Sequence, residues 1–506
     1  MSKIILFFNK VIQSRQKTFL FVSFFYILSH VFFLNLPPQG AHVWRQCNTS
    51  AVARNFVEED MNVFCPRVDS RGDTEGVTGM QFPSFEISVA LISKALGGYH
   101  ESINRIVSFL FFGLGLYFFY ELLVFLSNSK RIGFFGVWAF MWSPVLYYHS
   151  TNALPDILAL SASIGGLLYF LKWNTLRSNK YIFLALFFTT LAGLTKLQYL
   201  SFGALVLVTV IQGLMSKSYS IKEMIMIFLY GGISFFTSVA WYVYADYLIE
   251  TSGLHDFGLI LRPLTDVKEI VTIVLTNLFV DLPEYILGFT SVVPFVFGFV
   301  YLVKSRLRQS SLFIGFLVWV LGLIVYYILE LEEMKSHTYY LFPTFIILFM
   351  LVAVGLNSLW DKYTKWMMLL MVLMPFLAFA RVHHHWLSGG SNLPSEFTAK
   401  ESRTKIDNLI PKGSITIVGI DGSRCVYHYY AHTKGFSFTR KGELLEVITN
   451  ENGKSKIRIE SYINRGAEYL IVDNKEIEDF PELWIYLSEE KYIGKTLRLF
   501  KLKNPL

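Results

Sequence analysis

Apolar runs long enough to cross a lipid bilayer recur along most of this chain. A helix needs roughly 20 apolar residues to span a hydrocarbon core about 30 Å thick. Only 16% of the 506 residues are charged, whereas a soluble chain usually carries about 25%. The sequence therefore predicts an all-α polytopic membrane domain. We place about eleven transmembrane helices near residues 18–36, 105–126, 132–149, 157–172, 181–195, 199–215, 224–247, 284–303, 311–330, 340–356 and 366–381.

Lysine and arginine are concentrated in every second predicted loop. Cytoplasmic loops carry an excess of these residues, so the alternation predicts a multi-pass protein of the inner (plasma) membrane with a cytoplasmic N-terminus. Residues 37–104, 248–283 and everything after about 382 then face outward. The net charge of +7 follows largely from this bias and does not indicate nucleic-acid binding. The basic loops include Lys130 and Arg131, Lys217 and Lys222, and Lys304, Arg306 and Arg308.

The predicted outward segments differ in character. FPSFEISVALISKALG, in the first outer loop, and VKEIVTIVLTNLF have the apolar stripe of helices that lie in the membrane interface. From about residue 395 the sequence changes: SITIVGID and AEYLIVD indicate short buried strands, while ELLEVITNENG and SKIRIESYINRG indicate helical or mixed pieces. We predict a transmembrane domain over 1–394 and a small extracytoplasmic α/β domain over 395–506.

Cysteine and histidine usage gives little sign of a metal or redox centre. Cys47 and Cys65 share the first outer loop, and an oxidising compartment would allow them to pair, but two unpaired thiols is the interpretation we favour. The chain has no CxxC, no HExxH and no glycine-rich phosphate loop. The triplet 383–385 is most simply a solvated run of histidines beside the membrane. We therefore expect no metal and no cofactor.

Ionisable residues near membrane depth are costly, and they usually indicate a functional site. Here they gather at the predicted outer ends of the helices, which suits a site reached by an amphiphile whose polar head lies at the outer interface. At helix boundaries these residues are Asp156, Lys196, His337, Tyr339 and Tyr340. The first outer loop adds Trp44, Arg45, Gln46, Arg54, Asp69, Arg71 and Asp73.

The order of several short motifs resembles that of the GT-C glycosyltransferases, the superfamily of protein O-mannosyltransferases and the lipid A aminoarabinose transferase. The motifs are ARNF, PRVDSRGD and GMQFP in the first loop, then ALPD, LTK and HTYYLFP. Each motif alone is weak, but the set covers most of the membrane part. The resemblance implies transfer of one sugar from a polyprenyl-phosphate donor to an acceptor hydroxyl, at the outer face of the membrane. The acceptor is a glycan, a lipid or a protein.

In such a reaction a carboxylate takes the acceptor proton as general base. Well-known members place an Asp-Glu pair shortly after the first span, but counting back from Arg54 puts Arg45 and Gln46 there. Arginine stays protonated and cannot act as a base, and Gln81 stands in GMQFP where an acid is expected. The base must come from elsewhere. The candidates are Asp156, Asp69 and Asp73.

The resemblance also implies which residues bind the leaving phosphate and the sugar. Cationic and hydrogen-bonding side chains stabilise a departing phosphate. We predict substrate-binding roles for Trp44, Arg45, Gln46, Arg71, Gln81, Lys196, His337, Tyr339 and Tyr340. Structural alternatives stay open at this point. Asp156 could cap its helix, Asp69 and Asp73 could stabilise a turn, Lys196 could extend to the interface, and the aromatic residues could form an interfacial belt.

Two other functions share parts of this pattern. Transporters of similar size carry ionisable groups in mid-membrane and have related halves, but this sequence shows no clear halves. A polysaccharide polymerase or ligase would use the same lipid carrier and transfer a whole chain. Convergence of Asp156, Asp69 and Arg45 at one outer site would favour an enzyme, whereas a central cavity able to open to both sides would favour a transporter.

The alternating basic loops predict the topology. A reporter that is active only after export should be active when fused after residue 390 and silent when fused after residue 309, because the Lys/Arg rule places these positions on opposite sides. A cytoplasm-specific reporter at the same two positions should give the reverse result. Export of the fusion at 309 but not of the fusion at 390 would contradict the predicted orientation.

Overall fold

The computed structural model describes residues 2–254, 257, 263–304, 311–387, 393–449 and 455–503. The part before residue 388 is helical, as predicted. Arg306 and Arg308 of one predicted basic loop lie outside the described residues.

The helices of this part are α1 (Ser2–Ile12), α2 (Arg15–His30), α3 (Val43–Glu58), α4 (Ser84–Ala95), α5 (Glu101–Ser127), α6 (Lys130–Met141), α7 (Pro144–His149), α8 (Pro155–Leu176), α9 (Asn179–Thr195), α10 (Gly203–Met215), α11 (Ile221–Ser252), α12 (Val267–Thr276), α13 (Val292–Lys304), α14 (Ser311–Leu329), α15 (Leu331–Met334) and α16 (Phe342–Arg381).

Most predicted spans correspond to a helix. Within the described residues, six helical segments are long and apolar enough to cross a bilayer, and three shorter apolar helices accompany them. The predicted span 132–149 is wrong as one helix, because Pro144 begins a new helix and disfavours helical backbone at Ser143. The predicted spans 340–356 and 366–381 both lie in α16, whose helical backbone is interrupted at Tyr363. The chain is therefore a multi-pass membrane protein with an all-α membrane part.

Helix α8 lies at the centre of the helical part. It is buried along nearly its whole length, and its neighbours include α5 and α9. A helix that is apolar on all sides must be covered by other helices or by lipid, and here protein covers it. The residues at the start of α8 are consequently held in one place by packing on every side.

Helices α13 and α16 cross with their backbones in close contact. A side-chain carbon on Gly355 would lie 1.7 Å from the carbonyl oxygen of Pro294, and one on Gly298 would lie 1.9 Å from that of Leu351. Small residues at such crossings allow membrane helices to approach closely, where dispersion forces and not the hydrophobic effect hold them together. The two glycines therefore fix the position of α13 against α16.

The C-terminal part is a small α/β unit. Five strands form a sheet in the order β2-β1-β5-β7-β6, in which β1 is parallel to both β2 and β5. The two segments predicted as buried strands are β1 and β5, and they are neighbours. The strands are β1 (Ile415–Gly419), β2 (Lys434–Ser437), β3 (Val447–Thr449), β4 (Ser455–Ile457), β5 (Ala467–Asp473), β6 (Leu487–Ile493) and β7 (Leu497–Leu502). The helices are α17 (Ser395–Thr398), α18 (Lys400–Leu409), α19 (Val426–Ala431), α20 (Arg458–Asn464) and α21 (Asn474–Asp479).

This C-terminal unit packs on α3 of the first loop. Cys47 and Ala51 of α3 belong to the same buried apolar cluster as Val426 and Tyr430 of α19. The Cys425 thiol also lies 3.3 Å from the carbonyl oxygen of Trp44. Cys47 and Cys65 form no disulfide with each other, as expected. Helix α3 is thus enclosed by the helical part on one side and the C-terminal unit on the other.

The crossing of α13 and α16 gives a stability prediction. Gly355→Leu should lower the yield and melting temperature of the purified protein strongly, because the new side chain would force the two helices apart. Overpacking of this kind typically costs about 1–3 kcal/mol or more. Gly322→Leu on α14 is the matched control, since a side-chain carbon there meets no atom within 4 Å. Equal melting temperatures for the two variants would show that the close crossing is unnecessary.

Candidate active site

Helix α3 is polar in sequence yet buried in the structure. Every residue from Arg45 to Phe56 is buried, because the C-terminal unit and the rest of the first loop cover it. Buried polar groups are normally hydrogen-bonded. Among the described residues, however, the side-chain oxygens of Asn48, Thr49 and Ser50 lack partners. A buried polar helix with unsatisfied groups is costly to stability, and this cost is typical of a functional site.

Arg45 is buried at the start of α3 and is held by neutral groups. Its guanidinium donates a hydrogen bond to the Gln81 side-chain oxygen at 3.1 Å and lies 4.6 Å from the centre of the Phe257 ring. Within the described parts of the chain, no carboxylate comes within 4 Å of it. The loop acid Glu59, which could have neutralised Arg45, pairs instead with Arg71 at 2.9 Å. Arg45 is therefore a buried positive charge that forms no ion pair with any residue the structure describes.

Lys196 is a second buried cation. It follows α9, and its ammonium lies 2.9 Å from Oδ1 of Asp156 in the first turn of α8. Tyr199 donates a hydrogen bond to the same oxygen at 3.1 Å, while Oδ2 is buried without a partner among the described residues. Asp156 thus holds a lysine, and no bond from its side chain to the start of its own helix is seen. This arrangement differs from the helix cap that the sequence allowed.

The segment 79–84 joins the two cations. The Phe82 amide donates to the carbonyl oxygen of Leu194 at 3.0 Å, and the hydroxyl groups of Ser84 and Thr195 are 2.7 Å apart. This segment carries Gln81, the partner of Arg45, and ends beside Lys196. Arg45 and Lys196 are close enough to repel each other electrostatically. The site therefore contains two buried cations and one carboxylate that forms an ion pair.

Aromatic and histidine rings line one side of the cations. The Lys196 ammonium lies 5.1 Å from the Tyr339 ring and 4.8 Å from the Tyr340 ring. The His337 ring lies 5.8 Å from that of Trp44 and 5.4 Å from that of His42. Burial and the neighbouring His337 lower the pKa of His42 to about 3, so His42 is neutral. The late HTYYLFP motif thus meets the start of α3 at this site.

Glu86 is a buried carboxylate that the sequence analysis missed. It lies in the first turn of α4, and neither of its side-chain oxygens has a partner in another described residue. Burial raises the pKa of Glu86 to about 7, against smaller opposing effects from its own backbone N–H and from Arg45. One signal was available in the sequence. Glu86 occupies the stripe formed by Phe85, Val89 and Ala90, where an apolar residue is expected.

Asp69 and Asp73 lie apart from the two cations. Asp69 is buried in an ion pair with Arg54 at 2.5 Å and accepts a hydrogen bond from Asn55 at 3.0 Å. Burial tends to raise the pKa of Asp69, but Arg54 and its other partners lower it below the ordinary value. Asp73 pairs with Arg465 of the C-terminal unit. Since Arg54 lies nine residues after Arg45, the two are about 13 Å apart along α3.

Two predicted substrate-binding residues also have structural partners. The Gln46 amide donates hydrogen bonds to the carbonyl oxygens of Gln39 and Ala41 at 3.0 and 3.1 Å, so it holds the turn before α3. Arg71 is occupied by Glu59. The structure therefore brings together one group of the predicted residues: Trp44, Arg45, Gln81, Asp156, Lys196, His337, Tyr339 and Tyr340. Gln46, Asp69, Arg71 and Asp73 stabilise the loop around them.

Known proteins resemble this chain in three-dimensional structure, but the sequence comparisons found no match. No protein-family model matches the chain, and no curated protein matches it. Among solved structures, ArnT from Cupriavidus metallidurans bound to undecaprenyl phosphate aligns with a TM-score of 0.61, at 10% identity, over 96% of this chain and 98% of ArnT. The oligosaccharyltransferase AglB from Archaeoglobus fulgidus aligns with a TM-score of 0.55, at 12% identity, over 93% and 72%.

A third solved structure also has a similar fold. The arabinofuranosyltransferase AftD from Mycobacteria aligns with a TM-score of 0.53, at 12% identity, over 97% of this chain and 40% of AftD. All three proteins are GT-C glycosyltransferases. Identities this low establish the fold and leave the activity to be argued from the site. The chain therefore has the fold of the GT-C glycosyltransferases.

Proposed function

We propose that this protein transfers one sugar, a hexose or a pentose, from a polyprenyl-phosphate donor to an acceptor hydroxyl. The observation that carries the proposal is the burial of Arg45 and Lys196, of which, among the described residues, only Lys196 forms an ion pair, with Asp156. A buried cation that forms no ion pair favours an anionic ligand. ArnT, which shares the fold, has been solved with undecaprenyl phosphate bound, and that ligand is an anion of the required kind.

In this proposal Arg45 and Lys196 bind the phosphate of the donor. The guanidinium of Arg45 offers a planar fork to phosphate oxygens, whereas the Lys196 ammonium acts as a point charge. Gln81 and Phe257 hold the guanidinium in place from two sides. Asp156 holds Lys196 by an ion pair, and Tyr199 donates a hydrogen bond to the same oxygen of Asp156. Trp44 and the rings of His337, Tyr339 and Tyr340 are suited to pack against the sugar.

The chemistry is a displacement at the anomeric carbon of the donor sugar. The acceptor oxygen forms a bond to that carbon, and the bond from the carbon to the phosphate oxygen breaks. The acceptor proton passes to a carboxylate, and the leaving phosphate gains one negative charge. Arg45 and Lys196 stabilise that developing charge, which is the electrostatic contribution expected to be largest in such a site.

We place this reaction at the outer face of the cytoplasmic membrane, on the basis of the Lys/Arg distribution. The acceptor is then a glycan, lipid or protein that is exposed outside. Mass spectrometry of surface glycans from cells with and without the gene tests this assignment. We expect loss of one glycosyl mass increment from a defined product, and restoration by the wild-type gene. Loss of whole polymer chains would indicate a polymerase or ligase.

Arg45 should control donor affinity. Arg45→Ala should weaken binding of undecaprenyl phosphate by the purified protein by about 10- to 100-fold, because hydrogen bonds to charged groups contribute about 1.5–3 kcal/mol. Arg45→Lys should restore binding only in part. The control is Arg71→Ala, which removes a loop arginine held by Glu59 and should lower the melting temperature while leaving affinity unchanged. If Arg45→Ala behaves like Arg71→Ala, Arg45 has only a structural role.

Asp69 should matter for stability and not for binding or chemistry. Asp69→Asn leaves the buried Arg54 without its ionic partner, and breaking a buried ion pair usually costs about 3–5 kcal/mol. We expect a markedly lower melting temperature but unchanged undecaprenyl-phosphate affinity and unchanged activity per folded molecule. The control is Asp73→Asn, whose partner Arg465 is exposed, so its melting temperature should change little. A loss of activity in folded Asp69→Asn would restore Asp69 as a candidate base.

A further inference from the structure

We propose that Glu86 is the general base that removes the proton from the acceptor hydroxyl. This inference rests on the proposed function and extends it, because the transfer needs a base and the position after the first span holds Arg45. Glu86 is fully buried on α4, and within the described residues no other side chain or backbone group occupies its carboxylate oxygens. A buried carboxylate without a partner is costly to stability, and a catalytic role accounts for that cost.

The fold places Glu86 near Arg45, whose charge acts on the Glu86 carboxylate, and at the end of a segment that contacts α9. Glu86 follows Ser84 by two residues, and the Ser84 hydroxyl lies 2.7 Å from that of Thr195, the residue before Lys196. Gln81, five residues before Glu86, holds the guanidinium of Arg45. The segment between them is fixed further by the Trp241 indole, which donates to the carbonyl oxygen of Met80 at 2.9 Å. The start of α4 is thus anchored to α9 and α11, and the segment before it holds the guanidinium of Arg45.

Asp156 is poorly suited to be the base. Its Oδ1 already binds Lys196 and Tyr199, and its negative charge keeps the buried lysine paired. Protonation of Asp156 during each turnover would leave Lys196 without its partner just as the phosphate departs. Loss of one partner from a buried pair is strongly destabilising. Asp156 is therefore better placed to position Lys196.

The proton affinity of Glu86 fits the task. A base is most effective when its pKa lies near the working pH, because it must be deprotonated before the reaction and still attract a proton during it. Burial raises the pKa of Glu86 to about 7, whereas the pKa of Asp69 is held below its ordinary value. Glu86 must be ionised to act, so the rate should fall as the pH drops below about 7.

The acceptor O–H bond breaks and its proton moves to the Glu86 carboxylate. The acceptor oxygen bonds to the anomeric carbon, and the electron pair of the bond from that carbon to the phosphate oxygen leaves with the phosphate. Glu86 then returns the proton to water after the products leave. No oxidant, reductant or further reactant is needed.

The test uses the purified full-length protein and the membrane fraction of cells lacking the gene, which supplies the lipid-linked donor and the acceptor. Glu86→Gln should reduce formation of the glycosylated product by about two to four orders of magnitude, the usual contribution of a general base. Its affinity for undecaprenyl phosphate should stay within about twofold of wild type, since Arg45 and Lys196 are intact. The wild-type rate should show an acidic limb near pH 7, and the residual rate of Glu86→Gln should not.

The matched control is Glu476→Gln. Glu476 is a fully buried glutamate of the C-terminal unit whose pKa burial also raises, but it lies outside the site and accepts a hydrogen bond from the Gly442 amide at 2.9 Å. This control should keep the wild-type rate per folded molecule and the acidic limb. If Glu86→Gln folds poorly, Glu86→Asp is measured instead. If Glu86 is the base, the rate of Glu86→Asp per folded molecule should be at least tenfold lower than that of the wild type. If Glu86 is only structural, that rate should be unchanged.

The possible failures can be distinguished. A wild-type rate and an unchanged acidic limb in Glu86→Gln would overturn the assignment and show that Glu86 is a buried structural residue. If the wild-type protein neither binds undecaprenyl phosphate nor forms the glycosylated product, then the proposed function itself fails. Donor binding in both proteins, with product formed only by the wild type, supports the function and the base together.

Discussion

The burial of Arg45, which forms no ion pair within the described part of the chain, is the constraint on which the surrounding structure depends. An unpaired buried charge is expensive, and among the described residues an amide oxygen of Gln81 and the face of the Phe257 ring compensate it. The second buried cation, Lys196, is paired with Asp156. A bound phosphate would supply the missing negative charge. The energetic cost in the free protein is therefore reasonable if the site is built for an anionic ligand.

Several elements keep Arg45 in place, and the acidic residues of the first loop contribute to them. The segment 79–84 is fixed to α9, because the Phe82 amide donates to the carbonyl oxygen of Leu194. It is fixed to α11, because the Trp241 indole donates to the carbonyl oxygen of Met80. On the other side, Arg54 joins Asp69 to the carbonyl oxygen of Tyr429 in the C-terminal unit. The C-terminal unit is thus part of the enclosure of α3. Asp69 and Arg71 stabilise the loop around the site, while the groups that we propose to bind the donor and to react include Arg45 and Glu86, at the beginning of α3 and α4.

The location of the charged groups favours an enzyme over a transporter. Asp156 lies in the first turn of α8, and Lys196 follows the last residue of α9, so both are at helix ends. Transporters of this size commonly bind their substrate near the middle of the membrane, where helices are interrupted. Arg45 and Asp156 converge at one end of the bundle, as an enzyme acting on a lipid headgroup requires. The convergence does not include Asp69, which the sequence had grouped with them.

The sequence by itself determined the membrane class, most helices, the two central strands of the tail and the acid-free, arginine-containing stretch at the start of the first loop. Apolar length, strand pattern and charge are local properties, so they can be read from neighbouring residues. The tertiary structure decided which acids meet which cations. Asp69 and Asp156 were both candidate bases in the sequence. In the folded chain, contacts between distant segments pair Asp69 with Arg54 and Asp156 with Lys196. Glu86 was missed because its burial and raised pKa arise only when α4 packs against α3 and α9.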